Sequence, residues 1–385
     1  MTTPSPKTAL LRTRLLLSFG ACLIALVVAE RMITWVPFSD GQDRLAAAAL
    51  AQRAQAAIKA EKLRRGLTID PHDDPAGTGL IGPRTAALVT EKADLSAKQA
   101  ATNPNFAAPM VGMLHRLGVQ RGDPVAVSLT GSIPGANLAV LCALQVVGAK
   151  TVVIASLGSS AWGATDPEFT WLDMASLLKA QGILDDAYLA ATPGGKGDGA
   201  GGLPVESLDL MRAAAHRNQV HWHVPSSLTG AVDYRRNAFV SAFGVLPKVF
   251  INIGGGAASY GTRLNGVSLR TPLLQPSLAP ALSPHGLIHQ MLKEGVPVIT
   301  IHPILEAERA VGLPLSYRTS APLGQPAGLY NAKQHNLPAL VGLLIGLVAL
   351  LIVALNLNRV IPRGIQAAPE EPSATPPAGE ESPSL

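Results

Sequence analysis

Three loops in this chain combine glycine with hydroxyl or amide side chains directly after short apolar runs. Loops of that composition let backbone amides close around an anion. The first reads Thr130-Gly131-Ser132-Ile133-Pro134-Gly135-Ala136-Asn137, between an apolar strand pattern at 124–129 and an apolar helical pattern at 135–147. Unpaired amides at that helix start, with the Thr130 and Ser132 hydroxyls and the Asn137 amide, would suit a phosphate or carboxylate. A tight βα turn with a capping serine accounts for the same residues. The second loop, 157–166, follows the apolar run 151–156 and holds Ser159, Ser160, Trp162 and Asp166. The third, 252–261, follows 249–253 and holds Asn252, Gly254, Gly255, Gly256 and Ser259. Its three consecutive glycines permit close approach of a ligand, and equally a mobile turn. Three such loops at the carboxyl ends of strands point to one shared pocket.

Covalent chemistry is less legible. Ser132 is a candidate nucleophile, but no Gly-x-Ser-x-Gly elbow surrounds it and no base declares itself. The first loop also lacks the Gly-Lys-Ser/Thr of a Walker loop and the GxGxxG of a dinucleotide site, and nothing in the chain calls for a cofactor. His221 and His223 alternate as on a strand, without a third ligand at zinc spacing. His72, Asp73 and Asp74 are adjacent in a loop at 68–79, which suits a loop better than a metal site. His285, His289 and His302 fall into no motif. Arg121-Gly122-Asp123 has the composition of a turn. No metal site and no catalysis follow from these residues alone.

The elements that must position the loops have an α/β pattern. Continuously apolar runs at 124–129, 151–156, 249–253 and 296–301 are separated by helical stretches at 105–117, 135–147, 169–180, 207–216, 227–243 and 286–293. A weaker strand pattern lies at 187–191. Apolar strands alternating with helices predict a doubly wound, mostly parallel sheet with right-handed crossovers, a Rossmann-like ectodomain at 67–335. The alanine-rich stretch 40–66 predicts a stalk helix ending near Gly66. The glycine-rich stretch 193–202 predicts a flexible surface loop.

Two apolar segments bracket this region. The stretch 337–357 contains no charged residue, and a bilayer crossing takes roughly 20 apolar residues. The stretch 15–36 is broken by Glu30 and Arg31, and reads as a signal anchor or, if cut after Ala29, as a signal peptide; a lipoprotein site at Cys22 fits less well. Lys7, Arg12 and Arg14 precede the first segment, while Arg359 and Arg363 follow the second. Cations remain on the cytoplasmic side, so the expected arrangement is two-pass in the cytoplasmic (inner) membrane. Residues 1–14 and 358–385 then face inward and the main domain faces outward. The tail at 366–385, rich in proline, serine and glutamate, predicts disorder.

Of 385 residues, 48% are hydrophobic and 15% charged, with a net charge of +5. Nucleic-acid binding is not expected, because no concentrated basic face exists beyond the short run at 59–65. Cys22 and Cys142 fall in the first apolar segment and in a helix, so no disulfide framework is expected and packing must hold the fold.

The order of motifs carries one resemblance. Thr78-Gly79-Leu80-Ile81-Gly82 is followed by Lys98, then by Thr102-Asn103-Pro104-Asn105-Phe106-Ala107-Ala108. The Gly131-Ser132 loop, Gly158-Ser159-Ser160-Ala161-Trp162-Gly163-Ala164 and Asn252-Ile253-Gly254-Gly255-Gly256 come next. With the terminal apolar segments, this set resembles the bacterial poly-γ-glutamate system protein family over most of residues 75–305. Thr130 departs from the pattern, where a serine is expected. The resemblance implies an accessory membrane protein of poly-γ-glutamate production, in capsule biosynthesis or exopolymer export. Implied partners are the polymer or a γ-glutamyl precursor, other membrane subunits of that machinery, and the lipid bilayer. It implies no catalytic residues. Two other activities stay open: an envelope hydrolase or transferase acting on the polymer through Ser132, and a non-catalytic scaffold. The scaffold would use the small-xxx-small pair Gly342 and Gly346.

Overall fold

The structure is a computed structural model that describes residues 6–31, 33–261, 272–281, 286–313 and 322–360. The expectations placed on His285, on Arg363 and on the tail at 366–385 lie outside the described residues. The chain divides into two compact units, Trp35–Ala332 and the described parts of Met1–Thr34 with Lys333–Leu385.

In chain order, α1 (Pro6–Arg31) and β1 (Ile33–Pro37) come first. Next comes α2 (Gly41–Arg64), in which Ala47, Ala48, Ala51, Ala54 and Ile58 are buried at three- and four-residue spacing. That stripe packs on helices described below, so α2 is a core helix and not the expected stalk. Its signal was muted because the inward face is nearly all alanine, which permits close helix approach yet hardly contrasts with the outer face. Strand β2 (Val89–Glu91) and α3 (Leu95–Ala100) follow, the latter capped by Asp94, whose carboxylate accepts from the Ser96 amide at 2.8 Å. Asn103 caps a short 3-10 turn that leads into α4 (Ala107–Arg116).

The sheet then begins with β3 (Pro124–Thr130), α5 (Pro134–Val147), β4 (Lys150–Ser156) and the two-residue β5 (Ser159–Ser160). Helix α6 (Trp171–Ala180) opens on a reciprocal cap between Thr170 and Asp173. Then come β6 (Ala187–Thr192), α7 (Val205–Arg217), α8 (Leu228–Phe243), β7 (Val249–Ile253) and the single turn α9 (Ala257–Tyr260). The larger unit continues with β8 (Leu273–Leu274), α10 (Leu287–Lys293), β9 (Val298–Ile301) and α11 (Ile304–Ala310). Strand β10 (Asn331–His335), which pairs with β1, leads to α12 (Leu337–Val360).

Among the described residues the main sheet has six strands in the order β6-β4-β3-β7-β9-β8. The first five are parallel and β8 alone runs antiparallel, at the edge. The chain steps outward from β3 to β4 and β6, then returns to the other side of β3 with β7. A topological switch point therefore lies between the carboxyl ends of β3 and β7. Alternate strand residues face opposite layers, as the twofold strand period requires. Val125, Val127 and Leu129 join the core that includes α2, α4 and α5, while Ala126 and Phe250 pack against Phe239 of α8 and Met291 of α10. The fold is thus a mixed α/β domain with helices on both faces of a mostly parallel sheet.

Within the smaller unit, α1 and α12 lie against each other. Among the described residues no helix is long and apolar enough to cross a membrane. The side chains described in α12 run from Leu337 to Val353. A Cβ added at Gly342 or Gly346 would meet nothing within 4 Å among the described residues, which bring that pair into no close helix contact within this chain.

Candidate functional site

A cavity of about 800 Å³ opens at the switch point, at the carboxyl ends of the parallel strands. Register explains why the walls come from so many strands. Thr130 pairs with Ser156, Ser156 with Thr192, and Ile253 with Ile301, so the strands end nearly level. Thr130 of β3 and Ser132 just after it line it beside Ser156 of β4, Gly158 after that strand, and Gly255 and Gly256 after β7. His302 and Glu306 close the β9 side, and Thr90, Glu91 and Lys92 the β2 side.

The third loop approaches β3 so closely that glycine is required. Gly254 sits at φ +98°, and a Cβ there would be 2.4 Å from Thr130 Oγ1. A Cβ at Gly255 would be 3.0 Å from the His302 ring. Among the described residues, the Gly255 and Gly256 amides donate to no protein group, which leaves both for a ligand. The Ser132 hydroxyl accepts from the Ser160 amide at 3.0 Å and, among the described residues, donates to none.

Other expected site residues build the walls from behind. Asn137 is fully buried and its Nδ2 donates to the Thr130 carbonyl at 2.9 Å, which closes the β3–α5 turn; its Oδ1 finds no partner among the described residues. Gly135 permits α5 to touch the end of α3, where a Cβ would be 2.2 Å from the Ala101 carbonyl. Gly131 donates its amide to Ser156 O and accepts at its carbonyl from Ser159 Oγ at 3.1 Å. Asn252 is buried, with Nδ2 on the Gly254 carbonyl at 2.9 Å. Ser259 lies buried inside α9. Asp166 is not at the cavity: its carboxylate accepts from the Glu168 amide in the turn before α6. Trp162 also turns away, with its indole N–H on Asp73 at 2.9 Å.

The glycine-rich stretch after β6 is no loose excursion. Asp198 at its centre is 2% exposed and holds Arg235 of α8, 1% exposed, through contacts of 2.5 and 3.0 Å. The Arg235 guanidinium also donates to Thr192 Oγ1 at 2.8 Å and Ser156 Oγ at 3.2 Å. This buried pair ties the stretch down, and Gly194, Gly195, Lys196 and Gly201 become a cavity wall. Sequence reading missed it because the two charges are far apart in the chain and the stretch itself has little apolar content.

Lys98 was also missed as a functional group, although it stood in the motif order. It is 6% exposed, donates to the Ser132 carbonyl and lies 2.6 Å from Ser160 Oγ. Burial pulls its pKa down to about 8, against the opposing charge of Glu91. His302 is held below the usual histidine range by burial first and Lys98 second, with Glu306 opposing. The cavity floor therefore presents a neutral imidazole near neutral pH, and Lys92 and Lys196 stand exposed around it.

Among the described residues no group of three or more His, Cys, Asp and Glu side chains is placed to hold a metal. His223 instead stacks on Tyr234 with ring centroids 3.6 Å apart, and Asp74 accepts from the Thr78 and Gly79 amides at 2.9 and 2.7 Å. The arrangement can bind an anion through amides, hydroxyls and lysines, and it places a serine with an unused proton at the same surface. No family model, no curated protein and no solved structure matches the chain.

Proposed function

We propose that the protein is a membrane-anchored accessory component of poly-γ-glutamate production, and that its cavity binds the polymer or a γ-glutamyl precursor. One observation carries the reading: a cavity of about 800 Å³ at the switch point combines free amides, hydroxyls and lysines. That volume falls within the roughly 300–1,000 Å³ usual for ligand pockets. A γ-glutamyl chain alternates carboxylates with amides. Lys92, Lys196 and the Gly255 and Gly256 amides match the carboxylates, while Glu91 and Glu306 can accept amide protons. A purely cationic cavity would instead suit a phosphate.

Anchoring rests on the charge-free stretch 337–357 and on the apolar side chains that α12 exposes around its circumference. Leu344, Ile345, Leu350 and Val353 are 60%, 64%, 52% and 59% exposed. A helix apolar on all sides needs a nonaqueous surround or a partner. The flanking cations Lys7, Arg12, Arg14, Arg359 and Arg363 favour both termini inside and the α/β domain outside.

Calorimetry of the full chain in mild detergent with γ-glutamyl oligomers tests the ligand. Saturable binding, weakened by Lys196→Ala and lost at high salt, is the expected result. Absence of binding by the folded protein would refute the reading and leave a scaffold that acts through its membrane partners.

A further inference from the structure

We propose that Ser132 is an acyl-accepting nucleophile whose proton passes through Ser160 to Lys98, which makes this corner of the cavity a site of amide cleavage or transfer. The three groups converge from three elements that are far apart in the chain. Ser132 comes from the β3–α5 loop and lines the cavity, with its hydroxyl proton uncommitted among the described residues. Ser160 comes from β5, and its amide is already on Ser132 Oγ at 3.0 Å. Lys98 comes from α3 and lies 2.6 Å from Ser160 Oγ, fixed by its second bond to the Ser132 carbonyl. The Ser160 amide holds Ser132 Oγ beside the residue whose own hydroxyl meets Lys98, and the relay requires the two hydroxyls to come within hydrogen-bond reach. Such contacts often tighten only when substrate is bound.

Lys62, also buried, donates to the Gly79 and Ile81 carbonyls, whereas Lys98 reaches a hydroxyl. That contact is with a serine in the same packed corner as a second, cavity-facing serine. In the neutral form of Lys98 that contact runs in reverse, with Ser160 Oγ–H donating to Nζ. The groups that face Lys98 electrostatically are Glu91 of β2 and His302 after β9, and Glu306 of α11 acts on that histidine in turn.

The chemistry balances without a cofactor. Ser132 Oγ bonds to the carbonyl carbon of an amide as its proton moves to Ser160 Oγ, whose own proton moves to Lys98 Nζ. Collapse of the adduct breaks the C–N bond as Ser160 Oγ gives its proton to the departing amine and regains one from Lys98. Water then attacks the Ser132 ester and gives its proton through Ser160 to Lys98; the C–Oγ bond breaks, the proton returns to Ser132 Oγ, and the acid leaves. An amine in place of water gives transfer instead. The choice of a γ-glutamyl amide as substrate rests on the function proposed above; the nucleophile does not.

The test labels the full-length protein with a fluorophosphonate and maps the adduct by mass spectrometry, beside calorimetry with γ-glutamyl oligomers. The expected result is one adduct, on Ser132, absent in Ser132→Ala. Its rate should rise about tenfold from pH 7 to pH 9 as Lys98 loses its proton near pH 8. Ser160→Ala and Lys98→Met should each slow labelling by about a hundredfold, the usual scale of a lost general base. If Lys98→Met does not fold, the wild-type pH profile and Ser160→Ala decide. No adduct, or a rate indifferent to pH and to both substitutions, overturns the inference. Oligomer binding without an adduct overturns it and leaves the binding function standing. An adduct without oligomer binding supports the nucleophile and overturns only the γ-glutamyl assignment.

Discussion

Replacing Asp198 with alanine should destabilise the α/β unit by about 3–5 kcal/mol, because it strands a buried guanidinium. Arg235 is 1% exposed and Asp198 2%, so neither charge can be rescued by water without opening the fold. The carboxylate takes both arms of the guanidinium, at 2.5 and 3.0 Å, and the remaining contacts of Arg235 are neutral oxygens that cannot offset the charge. Arg235→Met should cost a comparable amount by stranding the carboxylate. The double variant is the informative one. Once both charges are gone, Ser156 and Thr192 still satisfy each other at 3.0 Å, and the methionine refills most of the arginine's volume. Its loss should be smaller than that of either single change, a coupling of several kcal/mol. With domain stabilities of about 5–15 kcal/mol, the single variants should still leave a measurable transition. Urea unfolding of the full-length protein in mild detergent reads all three. Losses under about 1 kcal/mol, or a double variant equal to the sum of the singles, would refute the claim that this pair holds the glycine-rich wall.

Two further perturbations report on other parts of the unit. Asp186 is buried, and burial with neighbouring Asp185 raises its pKa from 3.8 to about 7 against the weaker pull of Lys179. A raised carboxyl pKa favours folding below the unfolded value and loses that advantage as pH rises through the folded one. Asp186→Asn should therefore stabilise by a few kcal/mol above pH 7 and by nothing near pH 4, since each tenfold difference in proton affinity is worth about 1.4 kcal/mol. Equal effects at both pH values in thermal melts would exclude that origin. Gly254→Ala forces a side chain into φ +98° and to 2.4 Å from Thr130 Oγ1. It should cost about 1–3 kcal/mol in the same melts and weaken γ-glutamyl binding at least tenfold; unchanged binding would mean that the β3–β7 crevice does not hold the ligand.

The residues that announced the fold were those whose surroundings follow from chain neighbours alone. Val125 to Leu129, Val152 to Ala155 and Val249 to Ile253 are buried on both faces, so their continuous apolar runs could only be central parallel strands. Loops after such strands must meet at one sheet edge, which is why Thr130, Ser132, Gly255 and Gly256 were legible as cavity residues. Side chains whose role depends on distant partners were not. Lys98 lies on a short helix of mixed composition, and only the closing of two later loops over it makes it a buried amine. Asp198 lies in a stretch that reads as a flexible surface loop until Arg235 arrives from a later helix. Asn137 and Gly135 were read as ligand contacts, yet the first closes a turn and the second clears room for α3. The antiparallel β8 is two residues long and gives no pattern at all.

The position of β3 at the centre of the sheet also fixes an order in time. Its first partner, β4, follows within a short crossover, but its second begins only at Val249. A chain made at roughly 5–20 residues per second leaves that edge of β3 unpaired for on the order of ten seconds, whether it emerges from a ribosome or a translocation pore. Thr130 and Ser132 are thus in place long before the opposite wall exists. The ligand site is incomplete in the half-built sheet, and the nascent protein carries one unpaired backbone edge along β3 until its second half appears.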